Sequence, residues 1–371
     1  MKKVLFLVAD DFYFYTHRLN LALAAKSAGY DVLVATRLDT YRDELSVSGL
    51  RFYELRFFHR SSLHPWTLWR SLRELIQLYR IERPDVVHLV ALKPVLLGSI
   101  AAFLTRVPRV VAALGGLGFL KSAKHGLHRM IKQSVLFAYR ILLNRPNTVV
   151  IVQTDQDRLF LESEAKIRPS RICLIRGAGV DINYFQPIPE AKEGPVQVIL
   201  AARLLWSKGV GEFVEAASYF QKEREGICFH IYGVPDGENK NSVPETLLQE
   251  WHDKGLLQWH ARVKDMRSAF QHAHIVALPT YYPEGVPKIL LEAAASAKAI
   301  VCTGQEGCLS VVTHRETGLI VPERDAGALI EAISLLAKDA KLRQILGSAA
   351  RKRIEKDFDQ IKIIEDTLKL Y

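Results

Sequence analysis

Short apolar segments recur along the chain, each followed by a loop and then by a stretch whose apolar residues fall at helical spacing. A strand that is apolar at every position has to be covered on both faces, the situation inside a parallel sheet flanked by helices. In the first half such segments lie at 4–9, 31–36, 86–89, 109–113 and 148–152, with helical patterns over 18–28, 68–81, 94–106 and 127–143. A second series follows at 196–201, 228–232, 257–259, 275–278, 299–302 and 318–321, with helices such as 211–221 and 290–296. Between the two series, 187–195 carries three prolines, a glycine and two glutamates and reads as an interdomain linker.

The fold class expected is therefore α/β, two doubly wound domains in tandem, which suits 371 residues better than one core or three. The expected boundaries are 1–180 and 181–354, with a last helix at 355–371 packing back on the first domain. Ligands of doubly wound sheets sit beyond the carboxyl ends of the strands, so two such domains are expected to face a central cleft.

Charge is unevenly spread. Of the net +10, residues 51–145 hold 16 Lys and Arg against four acids, a local excess of +12 that leaves the rest of the chain at −2. A block of this kind suits a polyanionic partner: nucleic acid, an anionic membrane face or a phosphorylated substrate. Within it, Phe57-Phe58-His59-Arg60 to Trp69-Arg70 and Phe119-Leu120-Lys121 to Met130-Ile131-Lys132 mix cations with Trp, Phe and Leu, a composition suited to a headgroup layer. The longest uncharged runs near the middle, 94–105 and 110–120, are too short to span a bilayer, so membrane contact is expected to be peripheral. The opening Met1-Lys2-Lys3 and the apolar run after it imitate a signal peptide, but Asp10-Asp11 cuts the run short and a buried first strand is expected. Four scattered cysteines with no CxxC pair argue against a structural zinc site and for a cytoplasmic setting.

Two constellations carry chemistry. After the strand at 275–278 comes Pro279-Thr280-Tyr281-Tyr282-Pro283-Glu284-Gly285-Val286-Pro287-Lys288, leading into a helix that carries Glu292. The loop places Glu284 at the strand's carboxyl end and Glu292 about two helical turns on, while the N–H groups of Gly285 and Val286 at the helix start suit an anion. After the strand at 196–201 stand Arg203 and Lys208, two cations ahead of the next helix that suit a diphosphate. Asp155-Gln156-Asp157 imitates a metal-binding Asp-x-Asp but is expected to be a helix-capping turn.

Together these residues resemble the C-terminal domain of family 4 glycosyltransferases, retaining enzymes of GT-B fold that use nucleotide sugars. Glu284 and Glu292 match the family's spaced glutamates, Arg203 and Lys208 its phosphate clamp, Gly177-Ala178-Gly179-Val180-Asp181 with Phe185 and Pro187 its interdomain crossing, and Thr317-Gly318-Leu319-Ile320-Val321-Pro322 its following strand. The first half resembles the bacterial branch that extends polyprenyl-diphosphate-linked sugars, through Thr16-His17-Arg18, Asp85-Val86-Val87-His88, Lys93-Pro94, Gly98 and Leu114-Gly115-Gly116-Leu117-Gly118. Departures are Asp10-Asp11-Phe12-Tyr13-Phe14-Tyr15 in place of a Gly-Gly loop, Ala202 and Ala261 in place of glycines, and Pro283 where the branch often has Arg.

The resemblance implies two Rossmann-like domains facing a cleft, with donor contacts from Arg203, Lys208, Glu284, Gly285, Val286, Pro287 and Glu292. It implies acceptor contacts from His17, Arg18, Lys93, Gly116 and Gly118, with Glu284, Arg203, Lys208 and His17 at the reacting centre. The reaction implied is retaining transfer of a hexose or N-acetylhexosamine from a nucleotide sugar, UDP-linked by family habit, to a polyprenyl-diphosphate-linked saccharide in surface polysaccharide or glycan synthesis. No metal and no cofactor are implied. The setting implied is the inner face of the cytoplasmic membrane, with an anionic membrane surface as partner and no nucleic acid. A hydrolysing UDP-sugar epimerase of the same architecture is the alternative enzyme. A basic nucleic-acid-binding protein is the alternative of another class, although helix-turn-helix, zinc-finger and RNP signatures are missing.

Overall fold

The computed structural model describes the chain apart from residues 59–63, 123–125, 192, 238, 262, 264 and 284 and the side chains of residues 122 and 127. Glu284, together with His59, Arg60 and Lys192 of the segments singled out above, thus lies outside the described residues. The chain divides into two compact units, Met1–Ala178 with Ile361–Tyr371, and Gly179–Gln360.

The first unit is a seven-stranded parallel sheet of β1 (Lys3–Leu7), β2 (Asp31–Thr36), β3 (Arg51–Glu54), β4 (Val86–Val90), β5 (Arg109–Leu114), β6 (Thr148–Val152) and β7 (Ile172–Leu174), in the order β3-β2-β1-β4-β5-β6-β7. Alternate residues of one strand feed separate cores: Leu5 and Leu7 of β1 join Leu75, Leu89 and Leu97 on one face, while Val4 and Phe6 join Phe14, Leu21 and Ile363 on the other. Each such side chain contributes about 1.5 to 3 kcal/mol by burial, which is why both faces read as apolar. The second unit repeats the design with β8 (Val196–Ala201), β9 (Ile227–Tyr232), β10 (Gln258–His260), β11 (Ile275–Leu278), β12 (Ala299–Thr303) and β13 (Leu319–Val321), in the order β10-β9-β8-β11-β12-β13. Strand order reverses between β1 and β4 in the first unit and between β8 and β11 in the second. These are the topological switch points, where ligands of open α/β sheets bind.

Four expectations need correction. The stretch 187–195 is no free linker, because it is tied into the second unit: the Arg343 guanidinium grips the Glu190 carboxylate at 2.8 to 3.1 Å, and Lys298 Nζ donates to Ile188 O at 3.0 Å. The chain passes between units at residues 178/179 and returns at 360/361, not at 354/355. The helix Ala340–Asp357 stays in the second unit, where Ala350, Ile354 and Phe358 are buried among Leu290, Ala294 and Ile300. Strands β3 and β7 were not expected, since both are short edge strands, β3 bounded by Arg51 and Glu54 and β7 only three residues long. Finally, Asp10 to Tyr15 is not a loop. Asp10 caps a helix over Asp11–His17 by accepting from Tyr13 N at 2.8 Å, and buried Asp11 Oδ2 accepts from the N–H groups of Asp39, Thr40 and Tyr41 at 2.7 to 2.8 Å.

Candidate functional site

In the second unit the two chemical constellations follow the two strands of the switch point, Arg203 and Lys208 after β8 and the Pro279–Pro287 loop after β11. They are fastened to each other. Tyr281 N and Thr280 Oγ1 both donate to Ser207 O, at 3.0 and 3.1 Å, and Thr303 Oγ1 donates to Thr280 O from the next strand over. Gly209 makes the approach possible: its φ is +79°, and a Cβ there would stand 2.2 Å from Pro279 O. Lys208 is buried at the end of the 3₁₀ turn Trp206–Lys208, and Arg203 is steadied by Asp236 at 3.1 Å while staying partly exposed.

Past the loop, buried Gly285, Val286 and Pro287 lead into the helix Lys288–Ala295, whose first residues have no side-chain cap. The N–H groups at its start, left without a side-chain cap, suit a negative or hydroxyl-bearing ligand. Glu292 lies within this helix and is 7 % exposed. Burial pushes its carboxyl above the ordinary range and the charge of Asp265 adds to the push, against the opposing pull of Lys288, whose ammonium is 3.1 Å away. Sequence reasoning missed three contacts. Asp265 holds Arg267 through a two-point ion pair, the Arg267 guanidinium lies 3.6 Å from the Tyr184 ring centroid, and Arg324 lies 4.4 Å from that of Tyr281. The one signal for the last pair was the aromatic doublet Tyr281-Tyr282 in a Gly/Pro-rich loop.

In the first unit the expected acceptor residues also flank a switch point, His17 and Arg18 after β1 and Lys93 after β4, with Gly116 and Gly118 following the adjacent β5. His17 ends the helix Asp11–His17 rather than the strand itself. Its ring stacks on Tyr13 at 4.3 Å, and its Nδ1 shares a 2.7 Å hydrogen bond with Thr16 Oγ1. The Tyr13 hydroxyl lies 2.9 Å from where a Gly115 side chain would begin, so His17 and the glycine loop are neighbours through one ring. Arg18 is only 7 % exposed and shares a small cavity with His88, Gly115 and Gln153. Arg18 Nε and His88 Nε2 are both buried without a partner there. Burial and the Arg18 charge hold His88 well below the ordinary range, hence neutral, with Nδ1 bonded to the Tyr371 hydroxyl at 2.9 Å. Lys93 lies over the Phe58 ring at 5.2 Å, and burial brings its pKa down to about 8. Gly98 has a packing role: a Cβ would collide with Leu89 and Leu7 side chains at 2.6 and 2.9 Å.

The basic block is partly neutralised from outside itself, Lys121 by Asp157 at 2.8 Å and Lys132 by Glu164 at 3.5 Å. Asp155-Gln156-Asp157 opens the helix Asp155–Glu164, capped by Thr154 Oγ1. Among the described residues, no three His, Cys, Asp or Glu side chains gather to hold a metal ion, and no helix is long and apolar enough to cross a membrane.

Residues 181–353 match the family model described as glycosyl transferases group 1, and residues 3–154 match glycosyl transferase 4-like. The two matches follow the two units in order. The chain belongs to the group 1, family 4-like glycosyltransferases. This glycosyltransferase is 29 % identical over 96 % of its length, and 95 % of the relative's, to N,N'-diacetylbacillosaminyl-diphospho-undecaprenol alpha-1,3-N-acetylgalactosaminyltransferase of Campylobacter jejuni. It is 25 % identical to UDP-Gal:alpha-D-GlcNAc-diphosphoundecaprenol alpha-1,3-galactosyltransferase of Escherichia coli, over 82 % of this chain and 80 % of that one. Among solved structures, Anabaena Alr3699/HepE in complex with UDP and glucose superposes with a TM-score of 0.80 at 19 % identity, covering 100 % of this chain and 99 % of the other. That likeness bears on the fold, which is GT-B, two Rossmann-like parallel-sheet domains.

Proposed function

We propose that this glycosyltransferase moves a hexose or N-acetylhexosamine, with retention, from a nucleotide sugar to a polyprenyl-diphosphate-linked saccharide in cell-surface polysaccharide or glycan assembly. The observation that carries the donor half is the fastening of the Arg203–Lys208 turn to the Pro279–Tyr281 loop at the switch point of the second unit. This puts a cationic turn beside a helix start that carries a buried carboxylate, which suits a diphosphate followed by a sugar. The acceptor class and the α linkage come from the relatives' names, and a UDP donor is consistent with the Escherichia coli relative.

In this reading Glu292 accepts from ribose hydroxyls. Glu284, with the Gly285, Val286 and Pro287 backbone, holds the sugar hydroxyls. The acceptor hydroxyl attacks the anomeric carbon from the side on which the diphosphate departs. The bond from that carbon to phosphate oxygen breaks as the new glycosidic bond forms, and the hydroxyl proton passes to the departing phosphate. Arg203 and Lys208 offset the charge growing on that phosphate, the role a divalent metal plays elsewhere, so the reaction is proposed to be metal-independent. His17 orients the acceptor. Lys93, half-buried, meets its diphosphate, while the more deeply buried Arg18 acts mainly through its field.

The proposed setting is the inner face of the cytoplasmic membrane, without nucleic acid. Trp66 and Trp69 are 55 % and 48 % exposed and stacked at 5.0 Å, Arg70 lies over Trp66 and Phe57 at 5.2 Å each, and Arg73 lies over Trp69 at 5.5 Å. Exposed indoles interleaved with guanidiniums suit an anionic headgroup layer. The test is the pair Arg203→Ala and Glu284→Ala, each assayed with and without chelator. Both are expected to lower kcat by about a hundredfold or more while the fold is kept. Unchanged turnover in Glu284→Ala refutes the donor assignment, and loss of wild-type activity on chelation refutes metal independence.

A further inference from the structure

A cavity of about 180 Å³ opens in the first unit at the amino ends of β5 and β6, the edge of the sheet opposite the one that carries Gly115 to Gly118. Its floor is apolar and buried, built from Ala102, Val107, Val110 and Leu142. Its rim is cationic. Arg106 and Arg145 both line it, and among the described residues no Asp or Glu does and neither arginine is in an ion pair. The Arg145 guanidinium lies 4.4 Å from the ring centroid of Phe103, another rim residue, which fixes it in place. Asn147, donating to Val107 O at 2.9 Å, braces the same side. In the wall, Ser99 is 5 % exposed and its hydroxyl has no partner, an unspent hydrogen-bonding group beside the apolar floor. A dry cavity of about 150 Å³ accommodates a benzene-sized body. Two guanidiniums at the mouth recognise a carboxylate or phosphate.

We propose that this cavity binds a small amphiphilic anion, an aryl or short-chain carboxylate or phosphate monoester, apolar end inward and anionic head between Arg106 and Arg145. Strands of five or six residues separate it from the opposite edge of that sheet by about 17 Å, and none of its lining residues is among the donor or acceptor residues proposed above.

Phenyl phosphate is the probe, titrated calorimetrically into the full chain, with inorganic phosphate testing the head alone and phenol the body alone. The expected result is saturable binding at least tenfold tighter than either fragment, undisturbed by saturating UDP. Arg106→Gly and Arg145→Gln are each expected to weaken it at least fivefold. Arg106 sits at φ +57°, so glycine there relieves a left-handed residue, and the variant's thermal midpoint should not fall. No binding by the wild type, displacement by UDP, or equal binding by both folded variants overturns the proposal. The glycosyltransferase reading is tested separately, by turnover of Arg203→Ala and Glu284→Ala, both in the second unit, whereas residues of the first line this cavity.

Discussion

Gly209→Ala is the sharpest structural perturbation of the donor site, because it changes one methyl group at the joint between the two loops. At φ +79° an alanine carries a backbone cost of about 1 to 2 kcal/mol. Its Cβ would also lie 2.2 Å from Pro279 O and 2.6 Å from Pro279 C, contacts that only a backbone shift can relieve, and overpacking of this kind costs about 1 to 3 kcal/mol. The expected loss is therefore about 2 to 5 kcal/mol, partly through the two hydrogen bonds accepted by Ser207 O, each worth about 1 kcal/mol. Gly255→Ala is the internal control: its φ is +62° and a Cβ there meets nothing within 4 Å, so it carries the backbone cost alone. The assay pairs thermal unfolding with steady-state kinetics on the nucleotide sugar at a temperature where both variants are folded. Moving the Arg203–Lys208 turn by about 1 Å relative to the helix that holds Glu292 is expected to lower kcat/KM by about a hundredfold, with Gly255→Ala near wild type. Equal stability and equal kinetics in the two variants would show that the joint does not position the site.

Other consequences can be checked as directly. Lys93 loses its charge as pH rises through about 8 rather than near its ordinary 10.5, so KM for a diphosphate-linked acceptor should climb across that point, and Lys93→Arg should flatten the rise. A flat wild-type profile removes Lys93 from the acceptor site. Burial also brings Lys298 down to about 8. Between about pH 8 and 10.5 the unfolded chain then binds a proton that the folded chain does not, so stability should rise with pH in this window, and Lys298→Met should abolish its share of the slope in denaturant titrations. Asp11→Ala strands three backbone N–H groups and should cost about 3 kcal/mol in urea unfolding, whereas a change under about 1 kcal/mol would mean that the loop 39–41 finds other acceptors. Trp66→Ala with Trp69→Ala should weaken salt-sensitive binding to anionic vesicles without changing the kinetics on a short soluble acceptor, and unchanged sedimentation would place membrane contact elsewhere.

What the sequence revealed follows the physics of burial. Central strands such as β1, β5 and β11 are covered on both faces, so their apolar runs are unbroken and legible. Edge strand β3 has fewer neighbours and tolerates Arg51 and Glu54, which erases the signal, and β7 is apolar but only three residues long. The helix Asp11–His17 was hidden because its aromatic, acid-led sequence has no clear stripe, and because Asp11 is spent on a loop 28 to 30 residues away, a contact that no local pattern encodes. The stretch 187–195 looked like a linker because it is rich in Pro and Glu. Glu190 instead meets Arg343, 153 residues on. The positions of Arg203 and Lys208 after β8 and of Glu292 in the helix after β11 were legible because they follow strands that can be read. Tyr184 meets the Asp265–Arg267 pair only through tertiary folding.

The central claim is tested most directly by incubating the purified protein with a panel of nucleotide sugars and a short polyprenyl-diphosphate-linked saccharide, reading the lipid product by mass and its anomeric configuration by NMR. The account predicts one added hexose or N-acetylhexosamine, α-linked, with one nucleoside diphosphate released per transfer and none without acceptor. Free nucleotide and epimerised sugar formed in the absence of acceptor, or a β-linked product, would contradict it.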